Sequence, residues 1–199
     1  MIRELVLVAA DLSACPWFAL GTPPRAELAA DLTVQTIADP AAAERFAGSP
    51  LPPGEARTRL TEGDRCVVVA DTAGKLVSQL WLSKAARHLD WIGCAVAPQD
   101  GALLLYNAWV DPAQRGRGAH WAMARQACAE TVAMGFTKIS AGVERHEFQP
   151  FAHKYAEMGL AVIVPYASLW CWPAVALRVT LRPPRLLVDF SKSLTCASP

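Results

Sequence analysis

Residues 65–83, RCVVVADTAGKLVSQLWLS, constrain the fold more than any other stretch of the chain. Val67–Ala70 and Leu76–Leu82 are rich in β-forming residues and are separated by a turn containing Ala73-Gly74, which predicts a hairpin. After a polar, irregular stretch at 85–101, the run ALLLYNAWV (102–110) predicts a long strand. A helix fits 117–134, with Ala119, Met123, Ala127 and Thr131 along one face. TKISAGVE (137–144) reads as a strand, EFQPFAHKYAEMG (147–159) as a helix and LAVIVPYASLW as a strand, with VALRVTL placed to pair with it. A hairpin that feeds strand–helix–strand–helix–strand implies an α/β chain with a mixed sheet covered by helices.

The first part of the chain is more punctuated. Residues 2–9 alternate weakly and suggest a first strand, followed by Pro16, Gly21, Pro23 and Pro24, which break regular structure. TVQTIA (33–38) reads as a strand, and Asp39-Pro40 is an N-cap with proline at the first helical position. The short helix AAAERFA ends near Gly48, and a second helix fits about 53–62 with Gly63 as its stop. The expected organisation is an N-terminal extension with an added strand at 1–32, a main domain at 33–182 and a C-terminal tail at 183–199. There is no internal repeat and no low-complexity tract.

Bulk properties exclude several classes. The chain has 199 residues, 53% of them hydrophobic, and a mean hydropathy of +0.21, which is ample for one core. No apolar run approaches the ~20 residues that cross a bilayer, and MIRELVLVAADL reads as a strand, not a signal peptide. No membrane association is expected. A net charge of +1 argues against nucleic acid as a partner. The six cysteines, at 15, 66, 94, 128, 171 and 196, form no CxxC and no metal-ligand spacing with the four histidines. Reduced thiols, a cytoplasmic location and no metal are the expectations.

The segment QRGRGAHW (114–121) lies between the strand at 102–110 and the long helix. Helix N-termini expose backbone N–H groups and the positive end of the dipole, so they bind anions. Glycine lets the backbone approach an oxyanion closely, and Arg115 and Arg117 suit phosphate geometry. A pyrophosphate seat is one reading of this segment. A loop of solvated charges is the other.

VDPAQRGRG at a strand end, then a long helix, then a strand and KYAEMGL, resembles the GNAT N-acetyltransferase superfamily over roughly residues 33–180. The resemblance implies a central mixed, mostly antiparallel sheet flanked by helices and splayed at the cofactor strand. In that family the pattern Arg/Gln-x-x-Gly-x-Gly/Ala binds the pyrophosphate of acetyl-coenzyme A. Arg115 and Gly118 match it, and His120 stands where the family has Gly or Ala. Arg115, Gly116, Arg117, Gly118, Ala119 and His120 are therefore implied to bind the co-substrate. Ala108, Trp109 and Val110 are implied to offer backbone groups to the pantetheine arm and the thioester carbonyl, in an oxyanion-hole role.

The resemblance also implies that Tyr155 is the general acid. Its ordinary pKa of ~10 exceeds the ~8.5 of a thiol, so it is protonated at neutral pH. A core aromatic is the competing reading of Tyr155. The candidate bases are Glu144 and His146, after the strand at 137–144, and Tyr106 and Asp111, on or beside the strand at 102–110. Trp81 and Trp91 are candidate acceptor-binding residues, although tryptophans on strands are usually core. The implied reaction is transfer of acetyl from acetyl-CoA to a primary amine of a small molecule. A longer acyl chain, a carrier-protein donor and a non-catalytic acyl-CoA-binding module remain open, as does a homodimer.

Overall fold

A computed structural model describes residues 2–12, 27–90, 94–98, 101–144, 161–172, 175–180 and 194–195. The hairpin forms as β3 (Arg65–Asp71) and β4 (Leu76–Ser83), and the long apolar run forms β7 (Ala102–Val110). Valine and leucine at consecutive positions send side chains to alternate faces of these strands. Both faces are covered. On β3, Val67 and Val69 join one core while Cys66 and Val68 join the other; on β7, Leu103 and Leu105 are divided from Leu104 and Tyr106 in the same way.

The helix α1 (Glu55–Thr61) and a 3-10 helix at Pro40–Phe46 cover one face, supplying Ala56, Leu60 and Phe46 to its core. Asp39 caps the 3-10 helix by accepting from the Ala41 amide at 2.8 Å, with proline following as the sequence predicts. The helix α2 (Ala119–Ala133) covers the other face through Trp121, Met123, Ala127 and Cys128. Arg65 on β3 pairs with Glu130 of α2, and Gln126 donates to Thr36 at 3.2 Å.

The remaining strands complete one eight-stranded sheet. These are β1 (Ile2–Asp11), β2 (Leu32–Ile37), β8 (Lys138–Glu144), β9 (Ala161–Trp172) and β10 (Val175–Thr180). The order across the sheet is β10-β9-β1-β8-β7-β4-β3-β2. Every pairing in it is antiparallel except β7–β8, which is parallel. The expected pairing of VALRVTL with the preceding strand is the β9–β10 ladder. The expected helix at 147–159 lies outside the described residues.

Two sequence expectations need correction. The N-terminal strand is not an addition to a finished sheet: β1 lies inside it, bonded to β8 on one side and β9 on the other. The boundary expected at residue 32 therefore separates nothing within the sheet. The stretch 85–101 is not wholly irregular either, because β5 (Arg87–Leu89) and β6 (Cys94–Val96) pair within it. The tail residues Leu194–Thr195 form β11, which adds to β6. Among the described residues no helix is long and apolar enough to cross a membrane. Cys66 and Cys128 are buried thiols outside any disulfide, and the side chains of the other four cysteines lie outside the described residues.

A polar chain threads the core on the α1 face. The Tyr106 hydroxyl donates to Asp64, which is 2% exposed. Arg87 donates to the other Asp64 oxygen at 2.6 Å, to Ser83 at 3.0 Å and to Glu62. Burial, then the bond to the Asp64 carboxylate, raises the Tyr106 pKa above its ordinary 10.0. Burial likewise raises the Cys66 thiol above its ordinary 9.0.

Both shifts have the same sign. Each group is protonated in folded and unfolded chains below its ordinary pKa, so its contribution to stability is then fully present. As pH rises past that value the unfolded chain ionises first, and the contribution is lost until the folded pKa is reached. Wild type should lose stability above about pH 9 through Cys66 and more steeply above about pH 10 through Tyr106, at up to ~1.4 kcal/mol per pH unit for a single group. Tyr106→Phe should lose less between pH 10 and 11, keeping only the slope from Cys66 and the remaining groups. Urea unfolding across that range measures this. Parallel losses in the two proteins would contradict the shift at Tyr106.

Candidate functional site

The parallel ladder between β7 and β8 runs from Ala102↔Lys138 to Leu105↔Ala141 and stops there. Both strands continue, β7 to Val110 and β8 to Glu144, with β8 held by β1 as far as Leu5↔Glu144. An irregularity lies just beyond that point on the other side of β7. There Trp81 faces Tyr106 and Gln79 faces Trp109, so Asn107 and Ala108 together oppose Leu80. This is a β-bulge, which bends a strand and sharpens its twist. Asn107 has a positive φ of 48°, the only non-glycine with one among the described residues, and asparagine is one of the few residues that tolerate it. Exposure changes at the same point: Ala102–Tyr106 are buried, Ala108 is exposed, and Asn107, Trp109 and Val110 are half-buried.

Past the opening, Asp111 caps a short 3-10 turn (Pro112–Gln114) by accepting from the Ala113 amide at 3.0 Å, and its amide donates to Val77 at 2.9 Å. The chain then turns through the glycine loop into α2. Gly118 is the N-cap at φ 80°, no side chain caps the helix, and its first turn carries no acidic residue. The positive end of α2 is thus not neutralised by its own side chains. Gly116 has φ 82°, and a Cβ there would meet open space. Arg115 is exposed.

Residues 27–31 pack against one side of the loop. A Cβ on Gly118 would lie 2.5 Å from the Glu27 carbonyl oxygen and 3.0 Å from the Leu28 Cα. The Arg117 carbonyl accepts from the Ala29 amide at 3.2 Å, and its guanidinium bonds both Gln114 and Asp31. That guanidinium pulls the Asp31 pKa below its ordinary value. Glycine at 118 makes room for the backbone of residues 27–28, and Arg117 braces the loop against Asp31. His120 is half-buried, with its ring edge-on to Trp121 at 6.3 Å, and Ala119 is buried.

Trp81 is wholly buried. Its ring stacks on Phe46 at 5.2 Å, so it offers no surface to an acceptor, and the expectation of a binding role is corrected to packing. Tyr106 is removed as a candidate base, because its hydroxyl already donates to Asp64 and its pKa is shifted away from neutrality. Asp111 serves as a cap. Tyr155, His146 and Trp91 lie outside the described residues, as does the side chain of Glu144. Sequence reasoning missed Asn107, Arg59 and Asp64. An asparagine inside an apolar strand run is the one signal that pointed to the bulge.

A cleft of about 450 Å³ lies between the 3-10 helix and α1. Its lining is mainly apolar, with Ala43, Phe46, Leu51 and Ala56 beside the charged Glu44 and Arg57. Phe46 belongs both to this lining and, through its stack on Trp81, to the core beneath the bulge.

No protein-family model matches the sequence, and no curated protein matches it. Solved structures do. The GCN5-related N-acetyltransferase from Sphaerobacter thermophilus is similar at 18% identity and a TM-score of 0.53, covering 94% of this chain and 54% of that one. A tandem GNAT protein from the clavulanic acid biosynthesis pathway is similar at 14% identity and a TM-score of 0.52, covering 81% and 50%. The glucosamine N-acetyltransferase region of a fungal multi-domain GH3 beta-N-acetylglucosaminidase gives 15%, 0.51, 80% and 20%. The chain spans about half the length of the first two. At these identities the likeness is one of fold: the chain has the GCN5-related N-acetyltransferase fold.

Proposed function

We propose that the chain is an acyl-CoA-dependent N-acyltransferase that moves acetyl from acetyl-CoA to a primary amine of a small molecule. One observation carries this reading. The opening between β7 and β8 leads, through Asp111 and the glycine loop, to a helix N-terminus with no side-chain cap and no acidic residue in its first turn. That arrangement suits an extended ligand with an anionic end and a polar arm.

Acetyl-CoA would supply the activated acyl group as a thioester. The loop amides at Arg115–His120 hold its pyrophosphate, with the exposed Arg115 adding charge and Gly116 as the open curl. The backbone of Ala108, Trp109 and Val110 orients the arm and polarises the thioester carbonyl. The amine nitrogen bonds to the acyl carbon, the carbon–sulfur bond breaks, and Tyr155 gives its proton to the departing sulfur. Glu144, His146 or a water chain takes the proton lost by the amine. The cleft between the 3-10 helix and α1 receives the body of the acceptor, which its lining favours as apolar. Six reduced cysteines and a cytoplasmic setting complete the reading.

Isothermal titration with acetyl-CoA, followed by thiol release across a panel of amines, tests the proposal. Arg115→Ala should weaken acetyl-CoA binding at least tenfold, the equivalent of ~1.4 kcal/mol. Arg117→Ala should instead loosen the loop, read as faster amide exchange at 115–118, since its partners are Asp31 and Gln114. Unchanged affinity in a folded Arg115→Ala would sink the loop assignment.

Tyr155→Phe keeps the ring and removes the proton donor. Turnover should fall by ~10²–10⁴-fold, with acetyl-CoA affinity barely moved because the loss is made in the transition state. A thioester with a better leaving group should partly rescue it. Equal turnover in the variant and wild type would remove Tyr155 from the mechanism. In a separate check, thiol counting on the unfolded, unreduced protein should return six thiols; a lower count would contradict the reducing compartment.

A further inference from the structure

The cation that touches the bulge is not on the glycine loop. Arg59, on α1, is 8% exposed. Its guanidinium carbon lies 5.2 Å from the Trp81 ring centroid and 5.0 Å from that of Tyr106. Its Nε donates to Glu55 at 2.8 Å. With the Asn107 amide turned so that its oxygen faces Arg59, Nη1 and Nη2 donate to that oxygen at 2.8 and 2.9 Å. This is the orientation that satisfies both groups. All three guanidinium nitrogens are then engaged.

A buried guanidinium is costly unless its hydrogen bonds are made, so the position of Arg59 ties it to its partners. Glu55 is on the same helix. Asn107 is not: it is the bulge residue, held at φ 48°, a conformation unfavourable for an L-residue without local support. The planar fork of arginine serves both partners at once, whereas a lysine would bring a single point charge. The Trp81 and Tyr106 rings fix the fork from the side.

We propose that Arg59 is a positioning residue: it holds the Asn107 side chain and, through it, the left-handed backbone that opens β7 from β8. Its link to acyl-CoA rests on the function proposed above; its hold on the bulge does not. The two claims fail separately.

Amide exchange measured by NMR on the full chain tests the hold. In Arg59→Met, exchange at 107–110 should rise at least tenfold while amides in the middle of α2 stay unchanged. Arg59→Lys should not restore protection. In an Asn107→Gly background, Arg59→Met should add no further increase, because glycine adopts positive φ without side-chain support. Unchanged exchange at 107–110 in Arg59→Met, or an equal effect in both backgrounds, would overturn the inference. If Arg59→Met does not fold, Arg59→Lys decides: wild-type protection at 107–110 in that variant overturns the inference as well.

Acetyl-CoA titration supplies the second arm. Affinity should fall about tenfold in Arg59→Met. Raised exchange with unchanged affinity would leave the hold standing and remove its role in binding. Raised exchange together with no binding by wild type would uphold the hold and sink the acyl-CoA reading instead.

Discussion

Asn107 bonds Arg59 through its side chain while its backbone adopts a conformation foreign to a strand. The site depends on that contact. Without the extra residue on β7, the ladder to β8 would have no local reason to stop after Leu105 and Ala141. A closed parallel pair would leave no unbonded strand edge to receive a polar arm. The bulge is supported from below by a packed column of Phe46, Trp81 and Tyr106. Tyr106 is anchored to Asp64, and Asp64 in turn to Arg87. Buried polar chains of this kind are costly when half satisfied and rigid when complete.

The second half of the site is held from a different direction. Residues 27–31 lie against the glycine loop, with a backbone bond to Arg117 and a side-chain pair from Asp31. The Asp31–Arg117 pair is partly exposed, so its own contribution to stability is small. Its use is geometric, since it fixes the curl of the loop while leaving Arg115 and the Gly116 face open. Two glycines of one loop thus divide its labour. Here Gly116 faces outward, and Gly118 makes room for the chain's own backbone.

Local patterns in the sequence were legible. The hairpin at β3–β4, the strand at 102–110 and the start of α2 near 117 follow from apolar periodicity and turn residues within a few positions of each other. Features set by distant partners were not. Arg117 meets Asp31 across 86 positions, so it read as a spare phosphate ligand. Tyr106 meets Asp64 across 42, so it read as a base. Nothing within residues 2–9 shows that they enter the middle of the sheet, because their neighbours on both sides come from beyond residue 137. Trp81 read as a pocket residue because an apolar strand position looks the same whether solvent or Phe46 covers it. The bulge was hidden inside an otherwise uniform run, marked only by its asparagine.

The central claim is that the opened β7 edge and the glycine loop act as one binding surface for acetyl-CoA. Hydrogen–deuterium exchange of the full chain with and without saturating acetyl-CoA tests it most directly. The account predicts slowed exchange in two separated segments together, at about 106–110 and 115–120, with the same concentration dependence. Protection confined to one segment, or binding that protects neither, would contradict it.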